Sequence, residues 1–224
     1  MKTAQTNKQI ILILGPPGAG KGTQADLLQE EFKLGYIGSG ELLRARKEVA
    51  DYTGIKIGEF IDNGKRVPTP VIFKLWMDKF EELKQAPEFQ GFVLDGSPRT
   101  ILEAEMVGQA LEWYEWEKNI RVIFINLSEQ DCVDRLTKRR TCKQCGRIIP
   151  YIGEFKKLEK CDECGGELFI RADDEPEDIK ERLRWYKEEV LPVVDYYKQK
   201  GILIEINGDQ SIEKIYNDIL EKLK

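Results

Sequence analysis

A glycine-rich loop at residues 15–23 has the composition and the context of a phosphate-binding loop (P-loop). Its sequence is G-P-P-G-A-G-K-G-T; an apolar, β-branched run precedes it, and apolar side chains at helical spacing follow. In such a strand–loop–helix unit, backbone N–H groups converge on phosphate oxygens at the positive end of the helix dipole. The lysine adds a mobile positive charge. The candidate phosphate-binding residues are Gly18, Ala19, Gly20, Lys21, Gly22 and Thr23.

A carboxylate, Asp95, ends the buried apolar segment G-F-V-L-D at residues 91–95. An acid at a strand end beside a P-loop can hold Mg²⁺, mostly through water, because this ion keeps part of its hydration shell. The alternative is a loop acid or a helix cap with a structural role only. Since a P-loop is present, we predict that Mg²⁺ accompanies the nucleotide near Asp95.

Six arginines lie in predicted loops or at helix starts, near strand ends or at the edges of the cysteine-rich segment. Phosphoryl transfer needs positioning and charge neutralisation, which planar bidentate cations supply. The chain contains no histidine, which excludes histidine bases, triads and metal ligands. A phosphate acceptor is already an anion near neutral pH and needs no base, so the pattern favours transfer between phosphates. The arginines are Arg44, Arg99, Arg135, Arg139, Arg171 and Arg182.

Four of the five cysteines form two C-x-x-C-G pairs, with 15 residues between the pairs. This spacing is typical of a tetrahedral zinc site, and four thiolates leave no position open for catalysis, so the metal is predicted to be structural. A redox C-x-x-C pair is the alternative function, and iron is the alternative metal. The predicted ligands are Cys142, Cys145, Cys161 and Cys164, whereas Cys132 is expected to lie in the core.

Buried apolar segments alternate with helical patterns, which predicts an α/β fold with a parallel sheet. Ligands bind at the carboxyl ends of the strands in such sheets, so the P-loop, Asp95 and the arginines are expected to share one cleft. Ser39 and Ser128 are the predicted N-caps of two helices. The strands are predicted at 10–14, 34–37, 91–95, 120–127 and 202–206, and helices at 20–32, 101–116, 128–140 and 176–197 and after Ser211.

The bulk composition excludes several classes of protein. The 224 residues suit one domain with insertions, and a net charge of −5 argues against a general nucleic-acid-binding surface. No apolar run approaches the roughly 18 residues of a membrane span, and the polar start M-K-T-A-Q-T-N-K is unlike a signal peptide. We therefore expect a cytoplasmic protein without membrane or nucleic-acid partners, either a monomer or a small homo-oligomer.

Taken in order, the motifs resemble those of the adenylate kinases with a long, zinc-binding lid, within the nucleoside monophosphate kinases. The matching segments are the P-loop, G-S-G-E-L-L-R, D-G-S-P-R-T, D-R-L-T-K-R-R, the four-cysteine insert and R-A-D-D. The resemblance covers essentially the whole chain. It implies a P-loop NTPase-type sheet flanked by helices, with a helical acceptor-binding flap at 38–68 and a zinc-ribbon lid at 140–171. The core is then formed by 1–37, 69–139 and 172–224.

The resemblance also implies the reversible reaction ATP + AMP = 2 ADP and a role for each site residue. Lys21, Arg135 and Arg171 would serve the donor phosphates. Arg44 and Arg99 would bind the acceptor phosphate, and Arg139 and Arg182 would contact the transferred group. Arg135 and Arg139 count among the ATP-binding residues. The acceptor-binding positions are Ser39, Arg44, Ile61, Val67, Gly96, Arg99, Glu103, Arg171 and Arg182.

Two residues depart from the family pattern, and both concern the acceptor site. Ser97 stands where the family usually has Phe, which is expected to loosen the pocket, and Glu103 stands where a Gln reads adenine. An ionised carboxylate only accepts hydrogen bonds, and adenine N1 is also an acceptor. The sequence therefore predicts AMP with relaxed base choice, or alternatively a GMP- or CMP-accepting kinase.

A protein of another class remains possible at this point, a zinc-ribbon nucleic-acid-binding protein that uses nucleotides as a switch. It requires a basic ribbon face. Basic and acidic residues of the insert nearly cancel, which argues against it. They are Lys143, Arg147, Lys156, Lys157 and Lys160 against Glu154, Glu159, Asp162, Glu163 and Glu167.

Overall fold

The computed structural model describes residues 8–171 and 174–224. A five-stranded parallel sheet has the order β2-β3-β1-β4-β8, and a small antiparallel sheet has the order β6-β5-β7. The strands are β1 (Gln9–Leu14), β2 (Gly35–Gly38), β3 (Gly91–Asp95), β4 (Ile120–Asn126), β5 (Arg140–Cys142), β6 (Ile148–Ile149), β7 (Leu168–Phe169) and β8 (Leu203–Asn207).

Helices cover both faces of the parallel sheet, as predicted for an α/β fold. They are α1 (Lys21–Phe32), α2 (Ser39–Lys47), α3 (Tyr52–Asp62), α4 (Thr69–Gln85), α5 (Ile101–Trp113), α6 (Glu129–Lys138), α7 (Pro176–Trp185), α8 (Leu191–Gln199) and α9 (Ile212–Leu223). The predicted helix at 176–197 is therefore two helices, α7 and α8, joined by a π-helical turn at Tyr186–Val190.

The central strand β1 belongs to both halves of the core. Ile10 and Leu12 lie in one apolar cluster with Trp76 of α4, whereas Ile11 and Ile13 lie in a second cluster with helices α1, α7 and α9. Successive side chains of a strand point to opposite faces, so an uninterrupted apolar run is what a strand covered on both sides requires. The glycine loop thus follows directly from a strand that is buried on both faces.

Helix α5 ends at Trp113, three residues earlier than predicted. Glu115 has a left-handed φ of 62°, and the Trp116 N–H donates to Leu111 O at 2.8 Å, which is the hydrogen bond of a Schellman-type helix end. Because the helix ends in this way, Tyr114 and Trp116 pack within an aromatic cluster of the core, while Trp113 remains 78% exposed. The gain from burying two aromatic rings explains why a non-glycine residue adopts this conformation.

The two predicted N-caps have different outcomes. The Ser128 hydroxyl accepts a hydrogen bond from the Asp131 N–H at 3.1 Å and caps α6, as predicted. The prediction for Ser39 is wrong, because Gly38 is the N-cap of α2 and Ser39 is its first helical residue. Its hydroxyl is instead buried in contacts with other elements, described below. Cys132 is fully buried in the core, as expected.

The small antiparallel sheet carries the cysteine-rich segment. It forms between the end of α6 and the start of α7 and is separate from the parallel sheet in its hydrogen bonding. Within the described ranges 8–171 and 174–224, no helix has both the length and the apolar character required to span a bilayer. The polar stretch at 1–7 lies outside the described residues.

Candidate active site and metal centre

The P-loop joins β1 to α1, and its own lysine forms hydrogen bonds with the loop backbone. Lys21 Nζ donates to Gly15 O at 2.9 Å and to Pro16 O at 2.8 Å. Gly18 and Gly20 have left-handed φ angles of 86° and 87°, which glycine adopts without strain. Ala19 between them is fully buried. The loop therefore places the start of α1, with its positive dipole end and its lysine, at the carboxyl edge of the sheet.

Asp95 lies beside this loop because β3 pairs with β1 and places it opposite Ile13. Its Oδ2 accepts a hydrogen bond from the Tyr36 hydroxyl at 3.1 Å. Its Oδ1 is buried and has no hydrogen-bond partner among the described residues. A buried carboxylate oxygen without a partner, next to a phosphate-binding loop, fits an Mg²⁺ ligand or a contact to an Mg²⁺-bound water.

Lys21 and Asp95 alter each other's ionisation. Burial lowers the pKa of Lys21 to about 8; the Asp95 charge opposes this shift, and the Arg99 and Arg182 charges reinforce it. Burial also raises the pKa of Asp95, against the effect of Lys21. Three cations and one carboxylate thus face the same cleft. An excess of positive charge of this kind suits a ligand with several phosphate charges.

Arg99 follows β3 directly and is held at the cleft by its own turn. Its Nε donates to Gly96 O at 3.0 Å, and the Gly96 N–H donates to Ile13 O at 3.1 Å. The side chain is exposed to solvent in the cleft, yet surrounding protein atoms lower the pKa of its guanidinium, assisted by the Arg66 charge. A guanidinium stays protonated in proteins, so Arg99 is an exposed cation that can reach a phosphate.

The cations Arg139 and Arg182 meet on one buried carboxylate. Arg139 at the end of α6 donates from Nε and Nη2 to the two oxygens of Asp174, at 2.8 and 2.5 Å. Arg182 of α7 donates to the same carboxylate at 3.1 Å. Asp174 has no exposed side-chain surface, so it orients both guanidinium groups. Sequence reasoning missed it: Asp174 belongs to the quoted R-A-D-D motif, but nothing local indicates its partners.

Two further arginines, Arg135 and Arg171, are predicted to serve the donor phosphates. Arg135 of α6 donates to Gly208 O at 2.9 Å, which ties α6 to the loop after β8. Asp209 is 3.9 Å from the same guanidinium. Arg171 is half-buried at the end of the cysteine-rich segment. Arg135 thus lies on α6, which borders the P-loop side of the parallel sheet. Arg171 lies beside the small sheet.

Helices α2 and α3 and the loop after α3 carry further predicted acceptor-binding residues. Arg44 is exposed on α2, and its Nη1 lies beside Gly40, where an added Cβ would approach it to 3.0 Å. Ile61 and Val67 are half-buried on either side of the turn that ends α3. Gly96 borders the P-loop lysine, since a Cβ there would lie 3.8 Å from Lys21 Cε.

Ser39 and Ser97 share a buried hydrogen bond. Their hydroxyl oxygens are 2.6 Å apart, and the Trp76 Nε1–H donates to Ser39 at 3.0 Å. Ser97 is 1% exposed. The buried side chain of Ser97 therefore links the end of β3 to α2, and the expectation that this small residue loosens the acceptor pocket stays a prediction.

Glu103 is 4% exposed near the start of α5. Its Oε2 accepts a hydrogen bond from the Arg99 N–H at 2.6 Å, and its Oε1 lies 3.5 Å from the Thr69 hydroxyl. Arg66 Nη2 is 3.7 Å from the same Oε1. Sequence reasoning missed Arg66, which lies in the loop between α3 and α4 where no periodic pattern indicates a burial face.

The four predicted metal ligands converge at the small sheet. Their Sγ atoms all lie within 4.8 Å of one another, with Cys142 and Cys164 3.4 Å apart and Cys145 and Cys161 3.6 Å apart. Each pair turns tightly, with Gly146 N–H donating to Cys142 O and Gly165 N–H to Cys161 O. This arrangement fits a tetrahedral Cys₄ zinc site.

Backbone contacts favour the thiolate that a metal requires. The pKa of the Cys142 thiol is lowered to about 6, mainly by the Cys145 N–H, whereas neighbouring thiols raise the pKa of Cys145 and of Cys164. Gly166 packs against the sulfurs, since an added Cβ would lie 2.7 Å from Cys142 Sγ. Ion pairs of Lys143 with Glu167 and of Arg147 with Asp162 flank the site at 2.7 and 3.1 Å. These pairs confirm that acidic residues offset the basic ones on this surface.

Comparison with known proteins gives the decisive observation. The adenylate kinase family model matches residues 13–202. An adenylate kinase of Archaeoglobus fulgidus is 41% identical over 219 residues, which cover 96% of this chain and 99% of that protein. The chain belongs to the adenylate kinase family. Adenylate kinases of Desulforamulus reducens and Chloroherpeton thalassium are 41% and 40% identical, and each alignment covers at least 95% of this chain and 97% of the relative.

Membership of the adenylate kinase family confirms the resemblance inferred from the ordered motifs. The protein is a phosphotransferase whose substrates are ATP and a nucleoside monophosphate, and the family reaction is ATP + AMP = 2 ADP with Mg²⁺-ATP. The comparisons favour neither a GMP- or CMP-accepting kinase nor a nucleotide-switched nucleic-acid-binding protein.

We expect the purified adenylate kinase to carry about one zinc per chain. Cys145→Ser should lose the metal, because it removes one of four ligands, whereas Cys132→Ser should keep it, because Cys132 is packed in the core. Metal analysis of reduced protein and thermal unfolding measure both effects. Loss of zinc should destabilise the small sheet and leave the parallel sheet folded, since the four ligands lie outside the two core clusters. Reduced wild type without zinc would contradict the assignment.

Proposed function

We propose that the cleft at the carboxyl edge of the parallel sheet performs ATP + AMP = 2 ADP, with AMP as the preferred acceptor. The observation that carries this proposal is that Lys21 and Arg99 both lie against Gly96, the residue after Asp95: a Cβ at Gly96 would lie 3.8 Å from Lys21 Cε, and Arg99 Nε donates to Gly96 O at 3.0 Å. They come from two adjacent parallel strands and the loops that follow them. A polyphosphate ligand is what such a concentration of cations beside one acid supports.

In this proposal the P-loop residues 18–23 hold the donor phosphates, assisted by Lys21, Arg135 and Arg171. Arg44 and Arg99 hold the acceptor phosphate, with Ser39, Ile61, Val67, Gly96 and Glu103 around the acceptor nucleoside. Arg139 and Arg182 contact the transferred group, and Asp174 positions them. These roles rest on the match of motifs and on the positions of the side chains along the cleft.

The chemistry requires no base from the protein. The acceptor phosphate is an anion, and one of its oxygens attacks the γ-phosphorus directly. The bond from the γ-phosphorus to the β-phosphate oxygen breaks, ADP leaves, and the arginines offset the charge that develops on the transferred group. Mg²⁺, when bound, supplies charge neutralisation between the donor phosphates. Asp95 is the residue that would hold it, directly or through water, because its Oδ1 has no hydrogen-bond partner among the described residues.

We further propose that 38–68 and 140–171 act as two flaps around the core formed by 1–37, 69–139 and 172–224. Closure over the substrates would exclude water, which would otherwise accept the phosphoryl group and hydrolyse ATP. A structural zinc ion would keep the second flap rigid during this motion. A cytoplasmic location and a monomeric or small homo-oligomeric state remain predictions of the same proposal.

The proposed function is tested by initial rates with ATP and a panel of acceptors, AMP, GMP, CMP and UMP. ADP formation should depend on AMP, and kcat/KM for AMP should exceed the other values by at least about tenfold, the usual effect of one mismatched polar contact. ATP hydrolysis without acceptor is the control and should be slow. Rates that do not increase with AMP would overturn the proposal.

A further inference from the structure

Arg66 is a cation held between two carboxylates at the junction of the flap and the core. It lies in the loop between α3 and α4, and its side chain is only 25% exposed. One neighbour is Glu103 of α5, and the other is Glu189 in the π-helical turn before α8, which contacts Arg66 Nη1. Burying a charge is unfavourable unless it is paired. The pairing therefore explains how Arg66 is retained in this place.

The contact between Arg66 and Glu103 is an ion pair without a hydrogen bond. The 3.7 Å between Arg66 Nη2 and Glu103 Oε1 exceeds hydrogen-bonding distance. The carboxylate is oriented by other contacts, the 2.6 Å hydrogen bond from the Arg99 N–H to Oε2 and a long one of 3.5 Å from the Thr69 hydroxyl to Oε1. A donor on Arg66 and an acceptor on Glu103 thus lie side by side, and neither is saturated by the other.

A donor next to an acceptor is the hydrogen-bonding pattern of one carboxamide group. The 6-aminopurine edge presents the complementary pattern, with an acceptor at N1 and a donor at the 6-amino group. Glu103 alone can accept from the amine but cannot donate to N1. Arg66 supplies the missing donor. The carboxylate that it faces accepts from the Arg99 N–H, so Arg66 lies beside the residue proposed to hold the acceptor phosphate.

We propose that Arg66 and Glu103 together read the acceptor base, Arg66 donating to adenine N1 and Glu103 accepting from the 6-amino group. This inference rests on the proposed function, because it assigns the base contact within the same acceptor site. It removes the polar mismatch that an isolated carboxylate would impose on AMP. Arg66 is then a specificity-determining residue, and the ion pair performs the task of a single amide side chain.

The sharpest probe is 1-deaza-AMP, which has a C–H group in place of N1 and keeps the 6-amino group. Wild type should prefer AMP over 1-deaza-AMP by about ten- to a hundredfold in kcat/KM, the effect of one lost contact in a closed site. In Arg66→Leu this ratio should fall to about 2 or less, because the donor to N1 is gone. The ratio is independent of the fraction of active enzyme, so partial unfolding does not affect it.

A matched control is Arg46→Leu, which breaks an ion pair inside the same flap, between Arg46 and Asp51. This variant should keep the wild-type ratio. The double variant R66L/E103Q should again prefer AMP over 1-deaza-AMP, because an amide at position 103 can donate to N1 and accept from the 6-amino group. The uncharged amide also does not require Arg66 as a partner. The double variant also serves if Arg66→Leu alone does not fold.

An unchanged ratio in Arg66→Leu, or no preference for AMP over 1-deaza-AMP in wild type, would overturn the inference and leave the proposed function intact. Wild type that is inactive with AMP would overturn both. GMP replacing AMP as the better wild-type acceptor would also overturn the inference, because it would mean that the donor and the acceptor contact the base in the opposite order.

Discussion

Lys21→Met is expected to lower kcat by at least about a thousandfold, the upper range for removing one preorganised contact to developing charge. Methionine keeps the length of the side chain and removes the charge. The contacts that are lost with it are hydrogen bonds to two carbonyls of the P-loop itself, Gly15 O and Pro16 O. Core packing is unaffected, since Lys21 belongs to neither apolar cluster. Steady-state kinetics and a thermal unfolding curve test both parts of this prediction.

The matched control is Lys74→Met on the exposed surface of α4, where the lysine forms an ion pair with Asp78 of the next turn. Exposed pairs of this kind contribute little, so the rate and the melting temperature should both remain close to wild type. A Lys21→Met enzyme within tenfold of wild type would mean that the active site has been assigned to the wrong loop.

The pH profile gives an independent test of the same residue. Burial lowers the pKa of Lys21 to about 8, so the free enzyme loses this positive charge as the pH rises through about 8. The value of kcat/KM for ATP reports ionisations of the free enzyme and should therefore decline above that pH. Lys21→Met should not show this decline, because residue 21 no longer titrates.

Arg139→Ala is expected to reduce kcat by about 10³–10⁵, the range for arginines that stabilise a transferred phosphoryl group. Arg139 is oriented for this task by two hydrogen bonds to the buried carboxylate of Asp174. The variant should still fold, because Asp174 keeps the hydrogen bond from Arg182 and is not left as an unpaired buried charge. Single-turnover rates at saturating ATP and AMP measure the loss in the chemical step.

Arg140→Ala is the control for Arg139→Ala, one residue further along the chain. Among the described residues, Arg140 donates only to the backbone carbonyls of Thr137 and Arg139, so the variant should lose less than tenfold in kcat. Equal losses in the two variants would indicate that the chain segment matters for structure and that Arg139 has no special role in phosphoryl transfer.

Local sequence determined the P-loop and the metal centre. The glycine conformations at 18 and 20, and the position of Lys21 at the start of α1, depend on residues that are adjacent in the chain. The two C-x-x-C turns likewise close within four residues, and their spacing was sufficient to predict the cluster of thiols. The Cys₄ site and the loop could therefore be predicted before any tertiary contact was known.

Only the tertiary structure revealed the partners of the site residues. Asp174 is 35 residues from Arg139, and the packing of α6 against α7 brings them together. Ser39 resembles a helix cap in the sequence but faces Ser97, 58 residues away. The end of α5 at Trp113 is likewise decided by the aromatic cluster that receives Trp116. Such contacts depend on how the elements pack, which no local pattern contains.

The acceptor site shows this division most clearly. The sequence identified Glu103 as a departure from the family, and hydrogen-bond capacity alone then indicated relaxed base choice. Packing placed Arg66, 37 residues earlier in the chain, 3.7 Å from that carboxylate. A side chain's own chemistry is set by its residue type, whereas its hydrogen-bonding and charged neighbours are set by the fold. The sequence therefore determined which groups were available, and the tertiary structure decided which of them act as a pair.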